Sequence, residues 1–172
     1  MEVKQEKRTK GQELRSTLLY VLACIAGSFL LFHFILIPVR VTGTSMYPTL
    51  EDGSFVVARG MLFGQLQRGD IVVVDDALGE GSHIIKRVIA IGGDTIDIHD
   101  GQVFLNGQLL DENYVAAQTL VVEGSMYPVT IGEGNFFVMG DNREYSNDSR
   151  NPDIGQVEAE HLRGVFLMTL KK

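Results

Sequence analysis

The sequence predicts a mostly β fold: an antiparallel, coiled or barrel-like β domain behind one N-terminal transmembrane helix. Three observations carry that prediction. One twenty-residue stretch near the N-terminus, Leu18 to Ile37, contains no Asp, Glu, Lys or Arg. Beyond it the apolar residues gather in short runs rich in Val, Ile and Phe, the composition of strands. Glycine stands at 19 of 172 positions, about 11% against the ~7% of average proteins, as a chain with many turns requires.

Residues 1–17 form a basic head, with Lys4, Lys7, Lys10, Arg8 and Arg15 against three glutamates, a net of +2. Residues 18–38 form the anchor. A helix of twenty residues rises ~30 Å, one hydrocarbon core, whereas the apolar part of a cleavable signal usually runs only ~7–15 residues. No small-x-small cleavage site follows, since Ile37-Pro38-Val39-Arg40-Val41 is bulky. Within the span Cys24 is expected to pack, and a neutral His33 to reach the interface. Five basic residues precede the helix and only Arg40 closely follows it, so the positive-inside rule keeps the head in the cytoplasm and carries residues 39–172 to the outer face of the plasma membrane.

Strands are expected at Ser54–Ala58, Asp70–Val74, Ile84–Ile91, Thr95–Ile98, Gln102–Leu105, Thr119–Val122, Val129–Ile131, Asn135–Met139 and Val165–Met168. His99-Asp100-Gly101 and Asn106-Gly107 read as hairpin turns on either side of Gln102–Leu105. Only Val157–Arg163 reads as a short helix. Met61-Leu62-Phe63, between Gly60 and Gly64, is either an apolar loop tip dipping among lipid headgroups or a lid over the core.

Composition excludes several classes. A 45% hydrophobic share with 22% charged residues is that of a folded protein, and a net charge of −7 argues against nucleic acid as a partner. A single cysteine gives no internal disulfide and no Cys-x-x-Cys zinc site. Asp97, His99 and Asp100 match no zinc or EF-hand spacing and read as a strand end and a turn, so neither metal nor cofactor is expected.

The chemistry narrows to three polar clusters: Gly43–Leu50, His83–Val88 and Gly140–Arg150. In an alternating strand Lys86 falls on the face of Ile84 and Val88, and either Lys86 or Arg87 must share a face with aliphatic residues. At an ordinary pKa only about one lysine in 2,500 is neutral at pH 7, and a desolvated one supplies far more free amine. A neutral lysine beside a serine hydroxyl is a nucleophile with its general base. The tetrapeptide Ser-Met-Tyr-Pro occurs twice, at Ser45 and at Ser125. Ser45 is favoured because it lies next to the anchor and continues into Pro48-Thr49-Leu50. Spacing does not choose, Lys86 being 41 residues after one serine and 39 before the other. A Ser-His-Asp triad drawing on His83 with Asp141 or Asp94 ranks below this pair.

Ser45-Met46-x-Pro48-Thr49-Leu50, Lys86-Arg87-Val88, Gly93-Asp94 and Gly140-Asp141-Asn142-Arg143-x-x-Ser146-x-Asp148-Ser149-Arg150 occur in the order seen in bacterial type I signal peptidases. From about residue 15 to 168 the chain resembles that family, in the compact form typical of Gram-positive bacteria. The resemblance implies a serine endopeptidase that removes signal peptides from exported preproteins after small-x-small, Ala-x-Ala-like sites. It assigns Ser45 as nucleophile, Lys86 as general base and Ser146 as the serine that orients the lysine amine. Asp141, Arg143 and Asp148 become the polar network supporting their loop, and Val41, Met46 and Ile84 are expected to line shallow pockets for the small side chains. Partners would be signal-peptide-bearing preproteins and the lipid bilayer. Gly43 stands where some relatives carry a serine that completes the oxyanion hole, which leaves the second donor open between Thr44 and water. Gly92 departs from the family's common Leu-Pro-Gly-Asp. Two rivals remain: a catalytically inactive, membrane-tethered β-domain binding protein, which the joint presence of Ser45, Lys86, Ser146 and Asp148 disfavours, and a self-cleaving Ser/Lys protease, which would need a DNA-binding head in place of the anchor.

Overall fold

The computed structural model describes residues 10–31, 35–61, 64–75 and 83–171. His33, Leu62 and Phe63 lie outside these residues. Helix α1 (Lys10–Leu30) buries none of its residues against the rest of the chain. Cys24 is accordingly exposed and does not pack as expected. Twenty-one residues span about 31 Å at 1.5 Å each, so α1 is long and apolar enough to cross a membrane.

The β body consists of two antiparallel sheets. The larger runs β1 (Leu36–Arg40), β2 (Phe55–Gly60), β11 (Leu162–Lys171), β3 (Ile71–Asp75), β4 (His83–Ile91), β9 (Asn135–Met139) and β10 (Val157–Glu158) in that spatial order. The smaller runs β7 (Gln108–Leu109), β6 (Gln102–Leu105), β5 (Thr95–His99) and β8 (Val129–Thr130). Bulges in β11 and β4 shift the register and coil the larger sheet. Both predicted hairpin turns form, with Asp100, Gly101, Asn106 and Gly107 all at positive φ, the pairing a two-residue hairpin turn demands.

Three expectations are corrected. Leu36, Ile37 and Pro38, assigned to the anchor, instead open strand β1 and pair with Arg59, Ala58 and Val57. Pro38 is tolerated there because β1 is an edge strand. Thr119–Val122 forms no strand: Thr119 Oγ1 and the Leu120 carbonyl are taken up by arginine side chains instead. Val157–Arg163 is not a helix but strand β10, a single 3₁₀ turn (Ala159–His161) and the start of β11. Its backbone bonds outward, Val157 pairing with Phe136 and Ala159 N–H donating to Gly134 O.

Two features of this frame position the site. Val41, Met46, Leu50, Val56 and Ile71 form a buried cluster beneath residues 41–50. Strand β4 pairs with β3 along His83–Arg87, but β9 covers it only from Arg87 onward. The other edge of His83–Lys86 therefore has no neighbouring strand among the described residues.

Candidate active site

Residues 41–50 form a tight turn pinned at both ends. Val41 N–H donates to Ser54 O and Gly53 N–H to Val41 O, each at 2.9 Å. Gly43 takes φ +88°, a conformation glycine adopts without strain, and its N–H donates to Asp52 Oδ1 at 2.8 Å. Met46 and Leu50 plug the core below. Ser45, next to Met46, is held from the other side: its carbonyl accepts the Asn142 N–H at 2.9 Å, while Asn142 Nδ2 donates to Thr44 O at 3.0 Å.

Alternation along β4 turns Lys86 and Val88 inward, and Lys86 is only 3% exposed. Its Nζ lies 2.9 Å from Ser45 Oγ, which unites the two residues across 41 positions of sequence. Burial pushes the Lys86 amine down to about 8; nearby Asp148 opposes that fall and Arg150 adds to it. Ser45 and Lys86 sit in an open cleft of ≈ 510 Å³, and Val41, Met46 and Ile84, the three expected pocket residues, all line it.

The Gly140–Arg150 loop is built on three buried arginine–carboxylate pairs. Arg87, next to Lys86, makes a two-pronged contact with Asp141 (2.8 and 2.7 Å), and Thr49 Oγ1 donates to the same carboxylate at 2.5 Å. Burial is the largest influence and opposes the Arg87 charge, but the hydrogen bonds and charge of Asp141, with Tyr114 and Glu112, together raise its pKa. Arg150 grips both oxygens of Asp148 at 2.9 and 3.0 Å, and Asp148 Oδ2 also accepts the Gly140 N–H. Burial, the largest influence, would raise the Asp148 pKa, but the hydrogen bonds and charge of Arg150, with Ser146 and the Gly140 N–H, together hold it below the usual carboxylate range. Arg143 donates from Nε to Gly140 O and from Nη1 and Nη2 to Glu112, at 3.0 and 2.5 Å. Ser146 Oγ lies near the Asp148 carboxylate and helps keep it ionised, but it is buried without hydrogen-bond geometry to any described residue, Lys86 included.

The remaining candidates are dispersed. Ser125 Oγ donates to the Arg150 carbonyl, far in role from Lys86, although both Ser-Met-Tyr-Pro copies carry a cis Tyr-Pro bond. His83 pairs with Asp75 at 2.8 Å, while Asp141 and Asp94 are held by Arg87 and Arg68, so no Ser-His-Asp triad assembles. His99 stacks on Phe104. Glu112, Tyr114 and Thr119 surround the arginines of the site and were not anticipated from sequence. No charge count signalled them: with Arg87 the loop motif brings three arginines, and it already holds three acids of its own, Asp141, Glu144 and Asp148.

The class these features define is a serine endopeptidase, a hydrolase. The chain belongs to the signal peptidase family: the profile described as "Signal peptidase, peptidase S26" matches residues 14–170. A signal peptidase I of Bacillus licheniformis is 35% identical over 170 residues, covering 93% of this chain and 90% of that protein. A signal peptidase I of Bacillus amyloliquefaciens is 39% identical over 155 residues, covering 84% of this chain and 78% of its own. The crystal structure of a signal peptidase I from Enterococcus faecalis V583 matches with a TM-score of 0.51 at 28% identity, over 61% of this chain and 99% of that one. Its antiparallel β domain agrees with the predicted fold class.

Proposed function

We propose that this signal peptidase I cuts preproteins with a Ser45–Lys86 dyad while anchored in the plasma membrane by its N-terminal helix. The observation that carries the dyad is the 2.9 Å contact between Lys86 Nζ and Ser45 Oγ in a buried setting that favours the free amine. Neutral Lys86 takes the Ser45 proton as Oγ attacks the scissile carbonyl, then returns it to the departing amine. The resulting ester is cut by a water that Lys86 deprotonates in the same way. The Ser45 N–H serves as an oxyanion donor. Asp148 and Arg150 hold Gly140 and its loop against the dyad, and Ser146, beside Asp148, rotates to orient the amine once Ser45 Oγ engages substrate.

Substrate recognition follows from the sheet. The edge of His83–Lys86 that no described strand covers offers backbone donors and acceptors to an extended peptide, which adds as a strand. Val41, Met46 and Ile84 give the cleft a shallow apolar floor that suits small side chains, as in an Ala-x-Ala site. Leu36 lies only nine residues before Ser45, so the site remains within ~30 Å of the end of the strand that leaves the membrane. Lys10 and Arg15 lie in the first two turns of α1, and with the rest of the basic head they favour a cytoplasmic N-terminus and an outward body.

The direct test incubates detergent-solubilised protein with a preprotein bearing an Ala-x-Ala site, beside Ser45→Ala and Ser125→Ala. Cleavage by wild type and Ser125→Ala, and none by Ser45→Ala, is the expected result. Activity surviving Ser45→Ala would overturn the dyad, and no cleavage of a competent substrate by any form would favour the inactive binding module.

The titration of Lys86 predicts a pH profile. With its pKa at about 8, roughly one molecule in ten holds the free amine at pH 7, and one in a hundred at pH 6. The kcat/KM is expected to climb about tenfold per unit between pH 5.5 and 7 and to level off above pH ~8.5. A profile flat down to pH 5 would remove lysine from the role of base.

A further inference from the structure

We propose that the irregular strap of residues 110–119, outside every sheet and every recognised motif, is a working part of the catalytic centre, with Glu112 and Tyr114 as positioning residues for the Ser45 nucleophile. This rests on the Ser45–Lys86 reading above.

Both ends of the strap are stitched to the smaller sheet: Leu110 N–H donates to Val103 O and Thr119 N–H to Gly101 O, each at 2.9 Å. From there it reaches across to two arginines of the larger sheet and its loop. Glu112 is the only carboxylate within bonding distance of Arg143, whose side chain is fully buried among the described residues. Thr119 Oγ1 takes a further Arg143 donor. The Tyr114 ring covers the Arg87 guanidinium, with Cζ 4.0 Å from the ring centroid, and its hydroxyl donates to Glu112 Oε1 at 3.0 Å. Burial and the neighbouring Glu112 charge push the Tyr114 pKa up, so this donor stays protonated throughout the working pH range.

The path from strap to nucleophile is short. Glu112 fixes Arg143, whose Nε fixes the Gly140 carbonyl. The loop so held presents Asn142, whose two donors hold the backbone of Thr44 and Ser45. Tyr114 acts on the second wall: it caps Arg87, which carries Asp141 and, through it, Thr49 at the far end of the Ser45 turn. An acid and an aromatic from one strap thus brace both sides of the serine. Among the described residues, no strap residue lines the cleft or hydrogen-bonds to Ser45 or Lys86, so its loss should misplace the nucleophile without weakening substrate binding.

Full-length enzyme in detergent, with the folded fraction of each variant fixed by a thermal melt, provides the test. Glu112→Gln keeps the shape but surrenders the charge and one acceptor. It is expected to lower kcat about 10- to 100-fold with KM within about threefold of wild type. Glu112→Asp should recover part of the loss, and Tyr114→Phe, which keeps the ring over Arg87, should lose far less than Tyr114→Ala. The double variant Glu112→Gln/Arg143→Lys should be no more than about threefold worse than its poorer parent, because both act on one contact. A Glu112→Gln kcat within about twofold of wild type, or single-variant losses that multiply, would overturn the proposal. Ser45→Ala runs alongside: if it stays active, the dyad reading itself falls, whereas an inactive Ser45→Ala with normal Glu112→Gln sinks the strap alone.

Discussion

Lys86→Met should abolish preprotein cleavage and at the same time make the protein more stable. The rate loss follows from the proposed role of base: removing one member of an interdependent nucleophile–base pair typically costs 10⁴-fold or more in kcat. The gain in stability follows from burial. Lys86 is 3% exposed, and its pKa falls from 10.5 to about 8 on folding. The folded state thus binds the Lys86 proton more weakly than the unfolded chain does. That penalty is present in full below pH 8, shrinks as pH rises from 8 to 10.5, and is gone above. The shift corresponds to about 3 kcal/mol at neutral pH, an order-of-magnitude value. Methionine has nearly the same length, carries no charge and suits a niche next to Val88, so a gain of about 1–3 kcal/mol is expected at pH 7. Urea titration of wild type and Lys86→Met at pH 7 and pH 10 reads both effects. The difference between them should be largest at pH 7 and narrow at pH 10. A less stable Lys86→Met at pH 7 would mean that the amine is retained for structure, and retained activity would mean that another group takes the Ser45 proton.

The inward lysine was legible in the sequence because a strand's alternation is strict. Once Ile84–Ile91 is read as a strand, Lys86 and Val88 must share a face, and an inward lysine needs an explanation. It did not carry the second brace. Glu112, Tyr114 and Thr119 stand in a segment with no period of either two or 3.6 residues, so nothing local marks them, and their meaning depends on which arginines the fold brings near. The failed strand at Thr119–Val122 has the same origin. Its β-branched and aliphatic residues have strand propensity, but Thr119 is claimed by Arg143 and the Leu120 carbonyl by Arg150, leaving no ladder to join. The opposite error, the anchor drawn through Pro38, arose because hydropathy cannot distinguish a bilayer span from an apolar edge strand that follows it directly. Leu36–Arg40 finds its partner in β2, twenty residues downstream, and a long-range pairing of that kind outweighs a local pattern.

Gly140→Ala is expected to cost on the order of 10²-fold in rate, from a methyl group that touches no substrate. Gly140 does not need its glycine for a left-handed backbone; it needs it for space. A Cβ built there would lie 2.5 Å from the Ser45 carbonyl oxygen and 2.6 Å from Ser146 Cβ, with Ser146 Oγ nearer still. Real Cβ atoms do not approach so closely, so one of the three must move. Gly140 itself has little freedom: its N–H is fixed by Asp148 and its carbonyl by Arg143, both buried. Ser146 can swing its Oγ aside, though its Cβ shifts only with its own backbone, whereas the Ser45 carbonyl is backbone and moves only with the nucleophile. A displacement approaching 1 Å costs on the order of 10²-fold in rate, and crowding in a packed interior costs about 1–3 kcal/mol of stability. The two losses can be separated. In Gly140→Ala/Ser146→Gly, two of the three obstacles are gone, so thermal stability should largely return. The contact with the Ser45 carbonyl persists, and kcat/KM should stay at least about tenfold below that of Ser146→Gly alone. If the double variant regained the full Ser146→Gly rate, the glycine would be serving Ser146 and not the nucleophile. A Gly140→Ala enzyme of normal rate and melting temperature would mean that the loop yields more readily than its buried arginine pairs imply.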